Sequence, residues 1–225
     1  MATQIKTING KTTTRVLLVD DHPIVRERIM EIINDEAGLT VCGEAEDRQE
    51  ALEAIQATKP GLAIIDITLK NSNGLELIKD IHARWPKLLM LVVSMHDEAL
   101  YAERVLRAGA RGYMTKQEAT SNILLAIRRV LDGGVYLNEK ASSKVLSRLL
   151  TQPRRGKDSV TDVLADRELQ VFELTGDGLS IREIAERLGI DMKTVETYRA
   201  RIKDKLDLQN SSELLQLAIR WRQER

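Results

Sequence analysis

The sequence predicts an α/β doubly wound domain, with a five-stranded parallel sheet of strand order 2-1-3-4-5, followed by a small all-α domain. Three observations lead to this prediction. Five apolar runs alternate with helical patterns over about 120 residues, which is typical of a parallel sheet covered on both faces. The run at residues 62–65 is entirely apolar, as expected of a strand buried on both faces. After residue 163 the chain shows only helical periodicity.

We expect four segments along the 225 residues. Residues 1–13 are polar and rich in threonine, which predicts a flexible tail. Residues 14–135 form the α/β domain. Residues 136–162 form a linker that begins with a helix, because residues 151–162 offer few apolar side chains to bury. Residues 163–225 form the all-α domain.

The strands are predicted from apolar runs, and the helices from apolar side chains spaced three or four residues apart. The predicted strands cover residues 15–19, 39–45, 62–69, 88–93 and 112–114. Four helices lie between these strands, and a fifth follows the last strand. The first helix begins at Pro23 and the fifth ends at Gly133, in agreement with the usual places of proline and glycine at helix boundaries.

Composition is that of an ordinary soluble protein and excludes several kinds of site. Hydrophobic residues make up 43% of the chain and charged residues 30%, with 34 basic and 34 acidic side chains. The single cysteine, Cys42, excludes an intramolecular disulfide and a multi-cysteine metal site, and its apolar surroundings favour a structural thiol. Neither a signal peptide nor a membrane-spanning run is recognisable, so we expect a cytoplasmic protein without a membrane partner.

Carboxylates end two predicted strands that the topology places side by side. Asp20 and Asp21 follow the first strand and Asp66 ends the apolar part of the third, so three carboxylates would meet at one edge of the sheet. Bound Mg²⁺ would relieve the repulsion between them. Ser94 and Lys116, at the ends of the fourth and fifth strands, would supply a hydroxyl and a cation. This set suits a phosphoryl group held beside Asp66, or bound to it covalently.

These residues resemble the receiver domain of bacterial two-component response regulators. The matching motifs lie within residues 15–133 and are Val19-Asp20-Asp21-His22, Ile65-Asp66, Ser94, Tyr113 and Lys116. The resemblance implies that Asp66 accepts a phosphoryl group from a sensor histidine kinase. It also implies a Mg²⁺ site made of Asp20, Asp21, Asp66 and the backbone carbonyl of Thr68. On phosphorylation Ser94 would move toward the phosphoryl group and Tyr113 would rotate inward.

Two residues near this site depart from the receiver pattern. Lys70 stands where receivers commonly have a proline, four residues after the phosphoryl acceptor, and it would border the metal site. This raises the question of a contact between Lys70 and the phosphoryl group. Met95 follows the switch hydroxyl, where it would alter access to the site and the lifetime of the phosphorylated state.

The C-terminal segment has the spacing of a helix-turn-helix. Ser180 and Glu183 form a capping box at a helix start, and Gly189 permits the tight turn before the next helix. That next helix carries an apolar stripe made of Val195, Tyr198, Ile202 and Leu206. Its opposite face carries side chains that suit phosphates and base edges, namely Lys193, Thr194, Glu196, Thr197, Arg199, Ala200 and Lys203.

Four motifs in this segment closely resemble the LuxR-type helix-turn-helix. They are Leu164-Ala165-Asp166-Arg167-Glu168, Ile184-Ala185, Lys193-Thr194-Val195-Glu196 and Lys205-Leu206. With the receiver in front, the chain resembles a NarL/FixJ-type response regulator from residue 15 to about residue 221. The resemblance implies base contacts by Glu196, Thr197 and Ala200. It implies phosphate contacts by Lys193, Thr194, Arg199 and Lys203, and it makes residues 211–221 a helix that pairs two DNA-binding domains.

Two residues also depart from the LuxR-type pattern. Ala165 replaces the threonine that usually caps the first helix of the domain, so that capping box loses its hydroxyl. Tyr198 replaces the usual histidine in the recognition helix. Its hydroxyl would still reach a phosphate, although through a different contact.

The combined pattern predicts a transcription regulator controlled by phosphorylation. Phosphorylated Asp66 would favour a homodimer that presents two recognition helices to promoter DNA with two-fold symmetry. One alternative is a phosphohydrolase with Asp66 as nucleophile, but such enzymes usually carry a second aspartate where this chain has Thr68. Another alternative is a receiver that signals without phosphorylation, which the departures at Lys70 and Met95 would explain.

Overall fold

The computed structural model describes residues 7–8, 11–150 and 160–223. The chain divides into two compact units, Met1–Gln152 and Pro153–Arg225. The first unit therefore extends beyond the end predicted at residue 135, because the segment around Tyr136 and the helix after it pack on the α/β domain. Most of the predicted structureless part of the linker, residues 151–159, lies outside the described residues.

The first unit contains a five-stranded parallel sheet, which confirms the predicted fold class. The strands are β1 (Thr14–Val19), β2 (Leu39–Ala45), β3 (Leu62–Ile65), β4 (Leu89–Ser94) and β5 (Gly112–Thr115). Their order is β2-β1-β3-β4-β5, and all neighbours run parallel. The strand order reverses at β1, so the carboxyl ends of β1 and β3 form the edge where open α/β sheets bind ligands.

Five helices cover the two faces of the sheet. They are α1 (Pro23–Asn34), α2 (Arg48–Thr58), α3 (Gly74–Arg84), α4 (Glu98–Ala108) and α5 (Lys116–Leu131). Local sequence explains their starts. Pro23 occupies the first turn of α1, Asp47 caps α2, and Thr115 with Glu118 forms a capping box for α5. That capping box places Lys116 at the first position of α5, directly after β5.

The core lies on both sides of the central strands. The four residues of β3 are all buried, as are the last four residues of β1. One cluster joins these strands to the inner faces of α1 and α5, and it includes Ile33, Leu62, Ile123 and Ile127. Burial of such aliphatic side chains stabilises the fold by about 1.5–3 kcal/mol each.

The chain leaves the sheet earlier than the apolar run predicts. The predicted third strand covers residues 62–69, but β3 ends at Ile65. Thr68–Leu69 instead pairs antiparallel with Ser72–Asn73, through a tight turn in which Asn71 has a φ of 53°. Asparagine tolerates this left-handed conformation, so Lys70-Asn71 forms the turn and directs the chain into α3.

The segment predicted as a flexible tail contains a short hairpin. Thr7–Ile8 pairs antiparallel with Lys11–Thr12. Threonine and isoleucine favour extended structure. The prediction of a flexible tail rested only on the polarity of residues 1–13 and did not include this preference. The remainder of that prediction, residues 1–6 and 9–10, lies outside the described residues.

The second unit contains only helices among its described residues. Helix α6 (Glu139–Leu150) belongs to the first unit, and α7 (Val160–Val163), α8 (Asp166–Gly176), α9 (Ile181–Leu188), α10 (Met192–Lys205) and α11 (Ser211–Gln223) belong to the second. Helices α8 and α11 approach closely at Gly176, which has no side chain. A Cβ atom there would lie only 2.7 Å from the carbonyl oxygen of Ala218. Phe172 packs edge-on against Trp221 in the same interface.

The helix starts in the second unit follow the predicted capping, including the loss of the side-chain cap at Ala165. The capping box of Ser180 and Glu183 is present at α9, and Gly189 ends that helix in the left-handed conformation. At α8 the methyl group of Ala165 cannot accept a hydrogen bond, and only the reciprocal bond from the Ala165 amide to Glu168 remains, at 2.8 Å. Lys205 donates to the same carboxylate oxygen at 2.7 Å, so Glu168 ties the start of α8 to the end of α10.

Candidate functional site

The candidate site lies at the carboxyl ends of β1 and β3. Val19 pairs with Ile65 at the end of the two strands, so the residues that follow, Asp20 and Asp66, come side by side. The Asp66 amide donates to the carbonyl of Val19 at 2.8 Å, which fixes the backbone of Asp66 although it lies beyond the strand. The predicted convergence of the two carboxylates is therefore a direct result of strand register.

Lys116 lies between these two carboxylates and pairs with both. Its Nζ atom is 2.7 Å from Asp20 Oδ2 and 2.7 Å from Asp66 Oδ2. Burial, together with the charge of Asp66, raises the pKa of Asp20, although Lys116 opposes the shift. Burial would lower the pKa of Lys116, but the two carboxylates outweigh this effect and raise it. Lys116 is therefore a buried, charged partner for Asp66.

Asp21 and His22 complete the acidic edge. One ligand atom from each of Asp20, Asp21, His22 and Asp66 lies within 4.8 Å of the others. His22 Nδ1 is 2.7 Å from Asp21 Oδ1, but without hydrogen-bond alignment, and this buried oxygen has no hydrogen-bond partner in the described part of the chain. A buried carboxylate oxygen without a donor, beside two more carboxylates, fits a hard divalent cation with oxygen ligands.

Ser94 and Tyr113 lie on the other side of Asp66. Ser94 is the last residue of β4, and Tyr113 lies within β5. Ser94 is 1% exposed, and its Oγ atom has no hydrogen-bond partner among the residues described. Tyr113 is fully buried, and its hydroxyl donates to the backbone carbonyl of His96 at 2.8 Å. Tyr113 is thus tied to the loop that follows Ser94.

His96 connects the loop after β4 to the loop after Asp66. Its Nε2 atom lies 3.0 Å from Thr68 Oγ1, and its ring packs on buried Tyr101 with a centroid distance of 4.8 Å. The Thr68 amide in turn donates to Asp66 Oδ1 at 3.3 Å. Through Thr68 and Tyr113, His96 therefore contacts both the acceptor loop and the switch tyrosine.

The side chain of Lys70 pairs with a glutamate in the loop after β2. Its Nζ atom pairs with Glu46 Oε2 at 3.3 Å, and Arg26 binds the other oxygen of the same carboxylate at 3.1 Å. In this conformation Glu46 is therefore the charged partner of Lys70. The side chain of Met95 is 64% exposed and does not fill the site.

Gly74 lies directly against the backbone of Asp66, and this role was not predicted from the sequence. A Cβ atom at this position would lie 2.0 Å from the carbonyl oxygen of Asp66. Its amide donates to the carbonyl of Ile67 at 2.8 Å. The only sequence signal for this role is a glycine at the start of a predicted helix, where alanine would have been the better helix former.

The predicted DNA-reading residues lie along α10. Val195 and Ile202 are fully buried, and Tyr198 and Leu206 are half-buried, so the apolar stripe faces the domain core. On the other side Lys193, Glu196, Thr197 and Ala200 are exposed, while Thr194, Arg199 and Lys203 are half-buried. The Thr194 hydroxyl donates to Asp191, and the Thr197 hydroxyl donates to the Lys193 carbonyl, so both protons are used within the helix.

Known families match both units. Residues 16–128 match the response regulator receiver domain, and residues 162–218 match the bacterial regulatory proteins of the luxR family. The oxygen regulatory protein NreC of Staphylococcus haemolyticus is 30% identical, over 92% of this chain and 97% of its own length. The transcriptional activator protein ExaE of Pseudomonas putida is 35% identical, over 91% and 95%.

Solved structures share the fold. A two-component response regulator of the LuxR family from Aurantimonas is 31% identical with a TM-score of 0.58, over 62% of this chain and 100% of that one. RcsB from Salmonella enterica, bound to a promoter with the phosphomimetic BeF3⁻, is 24% identical with a TM-score of 0.56, over 91% and 97%.

Fold and site together define a two-domain signalling protein, with a receiver in front of a DNA-binding helix-turn-helix. The chain belongs to the two-component response regulators that carry a LuxR-type DNA-binding domain. Its function is that of a phosphorylation-controlled, DNA-binding transcription regulator. Within the part of the chain that the structure describes, no helix is long and apolar enough to cross a membrane.

Proposed function

We propose that Asp66 is the phosphoryl acceptor through which this regulator is controlled, with a sensor histidine kinase as donor. The observation that carries the proposal is the position of the Asp66 carboxylate, which is 3% exposed and 2.7 Å from the buried ammonium of Lys116. One Asp66 oxygen would attack the phosphorus of a phosphohistidine, and the bond from phosphorus to the histidine nitrogen would break. Lys116 would then neutralise the negative charge that the phosphoryl group brings into the site.

We propose that Mg²⁺ is held by Asp20, Asp21, Asp66 and the backbone carbonyl of Thr68. The oxygen-rich donor set and the buried Asp21 Oδ1, which accepts no hydrogen bond from the described residues, support this choice over a softer metal. When bound, the cation would neutralise charge on the phosphoryl oxygens and orient them for transfer. His22 Nδ1 already contacts Asp20 Oδ1 at 3.1 Å, which supports a role in holding that carboxylate in place.

Ser94 and Tyr113 are the residues we propose to report the phosphorylated state. The unpartnered Ser94 hydroxyl would donate to a phosphoryl oxygen and draw the loop after β4 toward Asp66. Because Tyr113 bonds the carbonyl of His96 in that loop, the same movement would be felt at β5. This arrangement supports signalling rather than turnover, since Thr68 offers a hydroxyl where a phosphohydrolase needs a carboxylic acid.

Replacing Asp66 with asparagine is expected to abolish phosphorylation of the intact protein. The purified chain is incubated with Mg²⁺ and a small acyl phosphate donor, and intact mass reports the added phosphoryl group. Asp132→Asn, in an exposed residue after α5, is the matched control and should be labelled like the wild type. Equal labelling of Asp66→Asn and wild type would remove Asp66 as the acceptor. Steady release of phosphate at an enzyme's rate would favour the phosphohydrolase alternative.

We also propose that phosphorylation favours a homodimer that places two α10 helices on promoter DNA with two-fold symmetry, in the cytoplasm where that DNA lies. The structure of RcsB was solved bound to a promoter, which supports DNA as the partner. Exposed Leu215 and Ile219 on α11 offer an apolar surface for pairing the two domains. DNA affinity that stays the same before and after phosphorylation would instead favour a receiver that signals without it.

Two substitutions on α10 are expected to separate phosphate contacts from base contacts. Lys203→Ala should weaken binding to all DNA sequences and reduce the slope of log affinity against log salt by about 1. Glu196→Ala should leave the salt slope unchanged but reduce discrimination at one base position, by about 1–3 kcal/mol. Fluorescence anisotropy with specific and scrambled duplexes at several salt concentrations measures both. Lys140→Ala, in the exposed part of α6, is the control. Identical salt slopes for Lys203→Ala and wild type would contradict the assignment.

A further inference from the structure

The linker is attached to the receiver at two points near the switch residues. Tyr136 pairs in parallel with Gly112 at the free edge of β5, where its amide donates to Arg111 and its carbonyl accepts from Tyr113 at 2.9 Å. Two residues later, Asn138 caps α6 by accepting from the Ala141 amide at 2.9 Å. Ala141 is 1% exposed because α6 packs on α4. The linker helix is therefore part of the receiver unit in this conformation.

Glu98, the first residue of α4, holds the second attachment point. It is 3% exposed, and its Oε1 atom accepts a hydrogen bond from the Asn138 amide at 2.7 Å. Its other oxygen, Oε2, is buried without a hydrogen-bond partner in the ranges that the structure describes. Burying a carboxylate with one unsatisfied oxygen costs free energy, which the packing around Glu98 must offset. If the contact opens, water can hydrate this oxygen, which lowers the cost of release.

The position of Glu98 connects this contact to the phosphoryl site. Only residues 95–97 separate it from Ser94, and His96 in that short loop bonds both Thr68 and Tyr113. A movement of Ser94 toward Asp66 would therefore act on a loop of three residues that ends at Glu98. The first residue that meets the linker beyond them is Glu98.

We propose that Glu98 is a positioning residue that fastens the start of α6 to α4, and that movement of the loop between Ser94 and Glu98 on phosphorylation releases it. The release step rests on the proposed function of Asp66, whereas the fastening in the resting protein does not. Release would expose the face of α4 that α6 covers and free the linker that leads to the DNA-binding domain. Phosphorylation of the receiver would thereby act on the DNA-binding domain through the buried carboxylate of Glu98.

Electrostatics adds a measurable signature to this geometry. Burial raises the pKa of Glu98 to about 7, with Asp97 in the preceding loop and Glu118 on α5 adding to the shift and the Asn138 amide opposing it. Tyr136 is the titratable group that faces Glu98 from the linker. A carboxyl whose pKa is raised in the closed state favours that state at low pH. Its contribution to closure is complete below the ordinary carboxyl range and is lost as the pH rises through about 7.

Hydrogen–deuterium exchange of the full-length protein tests the fastening. After correction for intrinsic rates, amides 138–150 should open about tenfold more often at pH 8 than at pH 5.5. In Glu98→Gln, which keeps an acceptor oxygen but cannot ionise, this pH dependence should disappear. Glu98→Ala should raise exchange of α6 at both pH values. Glu103→Gln on the same helix is the control, and α2 is the internal reference. A wild-type profile that stays flat, or that matches Glu98→Gln, would overturn the proposal.

The same measurement with Mg²⁺ and a small acyl phosphate donor tests the release. Protection of amides 138–150 should fall in the wild type and stay unchanged in Asp66→Asn. A protein that gains the phosphoryl mass but keeps its α6 protection would overturn release and leave the acceptor role of Asp66 intact. If no phosphoryl group is gained, the proposed function of Asp66 and the release step both fail, while the pH series still decides the fastening.

Discussion

Replacement of Lys116 by methionine is expected to lower the free energy of unfolding by about 3–5 kcal/mol in metal-free buffer. The side chain of Lys116 is 6% exposed and bonds both Asp20 and Asp66 at 2.7 Å. Methionine has an unbranched side chain that is one atom shorter and carries no charge, so two buried carboxylates would face each other without a cation. The loss should be larger at pH 8 than at pH 5, because protonation of Asp20, whose pKa is already raised, relieves the repulsion.

Urea unfolding with and without Mg²⁺ measures this effect and relates it to the metal site. A cation held by the same carboxylates should restore part of the stability of Lys116→Met, since it binds only the folded state. The double variant Asp20→Asn, Lys116→Met should also recover stability, because one of the two charges is gone. Lys87→Met, in an exposed lysine, should stay within about 0.5 kcal/mol of the wild type. Equal stability of Lys116→Met and wild type would show that the carboxylates need no cation there.

The residues of this site that sequence reasoning identified are those placed by strand ends. Asp20, Asp66 and Lys116 each follow a buried run, and parallel strands bring their carboxyl ends to one edge regardless of sequence distance. Helix starts were equally accessible, because Ser180 and Glu183 are only three residues apart and act through local hydrogen bonds. Such features depend on periodicity and short spacing, which one sequence displays.

What the sequence did not predict are contacts between distant parts of the chain. Glu98 meets the Asn138 amide across 40 residues, and Lys70 meets Glu46 across 24. Both partners lie in loops or at helix ends, whose paths periodicity does not determine. From the sequence, Lys70 could be placed only near the acceptor. The structure shows that the carboxylate of Glu46 competes for its charge. The hydrogen bond from Tyr113 to the His96 carbonyl was likewise not predictable, because it depends on the path of the loop that contains His96.

Replacement of Gly74 by alanine is expected to destabilise the receiver by about 3 kcal/mol and to slow phosphorylation of Asp66 by about a hundredfold. The new methyl group would lie 2.0 Å from the carbonyl oxygen of Asp66 and 2.9 Å from Ile67 Cα, so the backbone itself must move. A shift there displaces the acceptor relative to Lys116. Both the unfolding free energy and the rate of labelling by a small acyl phosphate measure the result.

Gly61→Ala is the matched control for this substitution. Gly61 precedes β3, and a Cβ there would make only ordinary contacts, at 3.4 Å from Thr14 Cγ2 and 3.9 Å from the Arg15 carbonyl. Alanine at this position should leave labelling unchanged and stabilise the fold slightly, because it restricts the unfolded chain. Gly61 directly precedes β3, whereas Gly74 begins α3 after the loop that follows Asp66, so the comparison separates loss of glycine flexibility from displacement of the acceptor. Wild-type labelling by Gly74→Ala would mean that the loop after Asp66 adapts without moving the carboxylate.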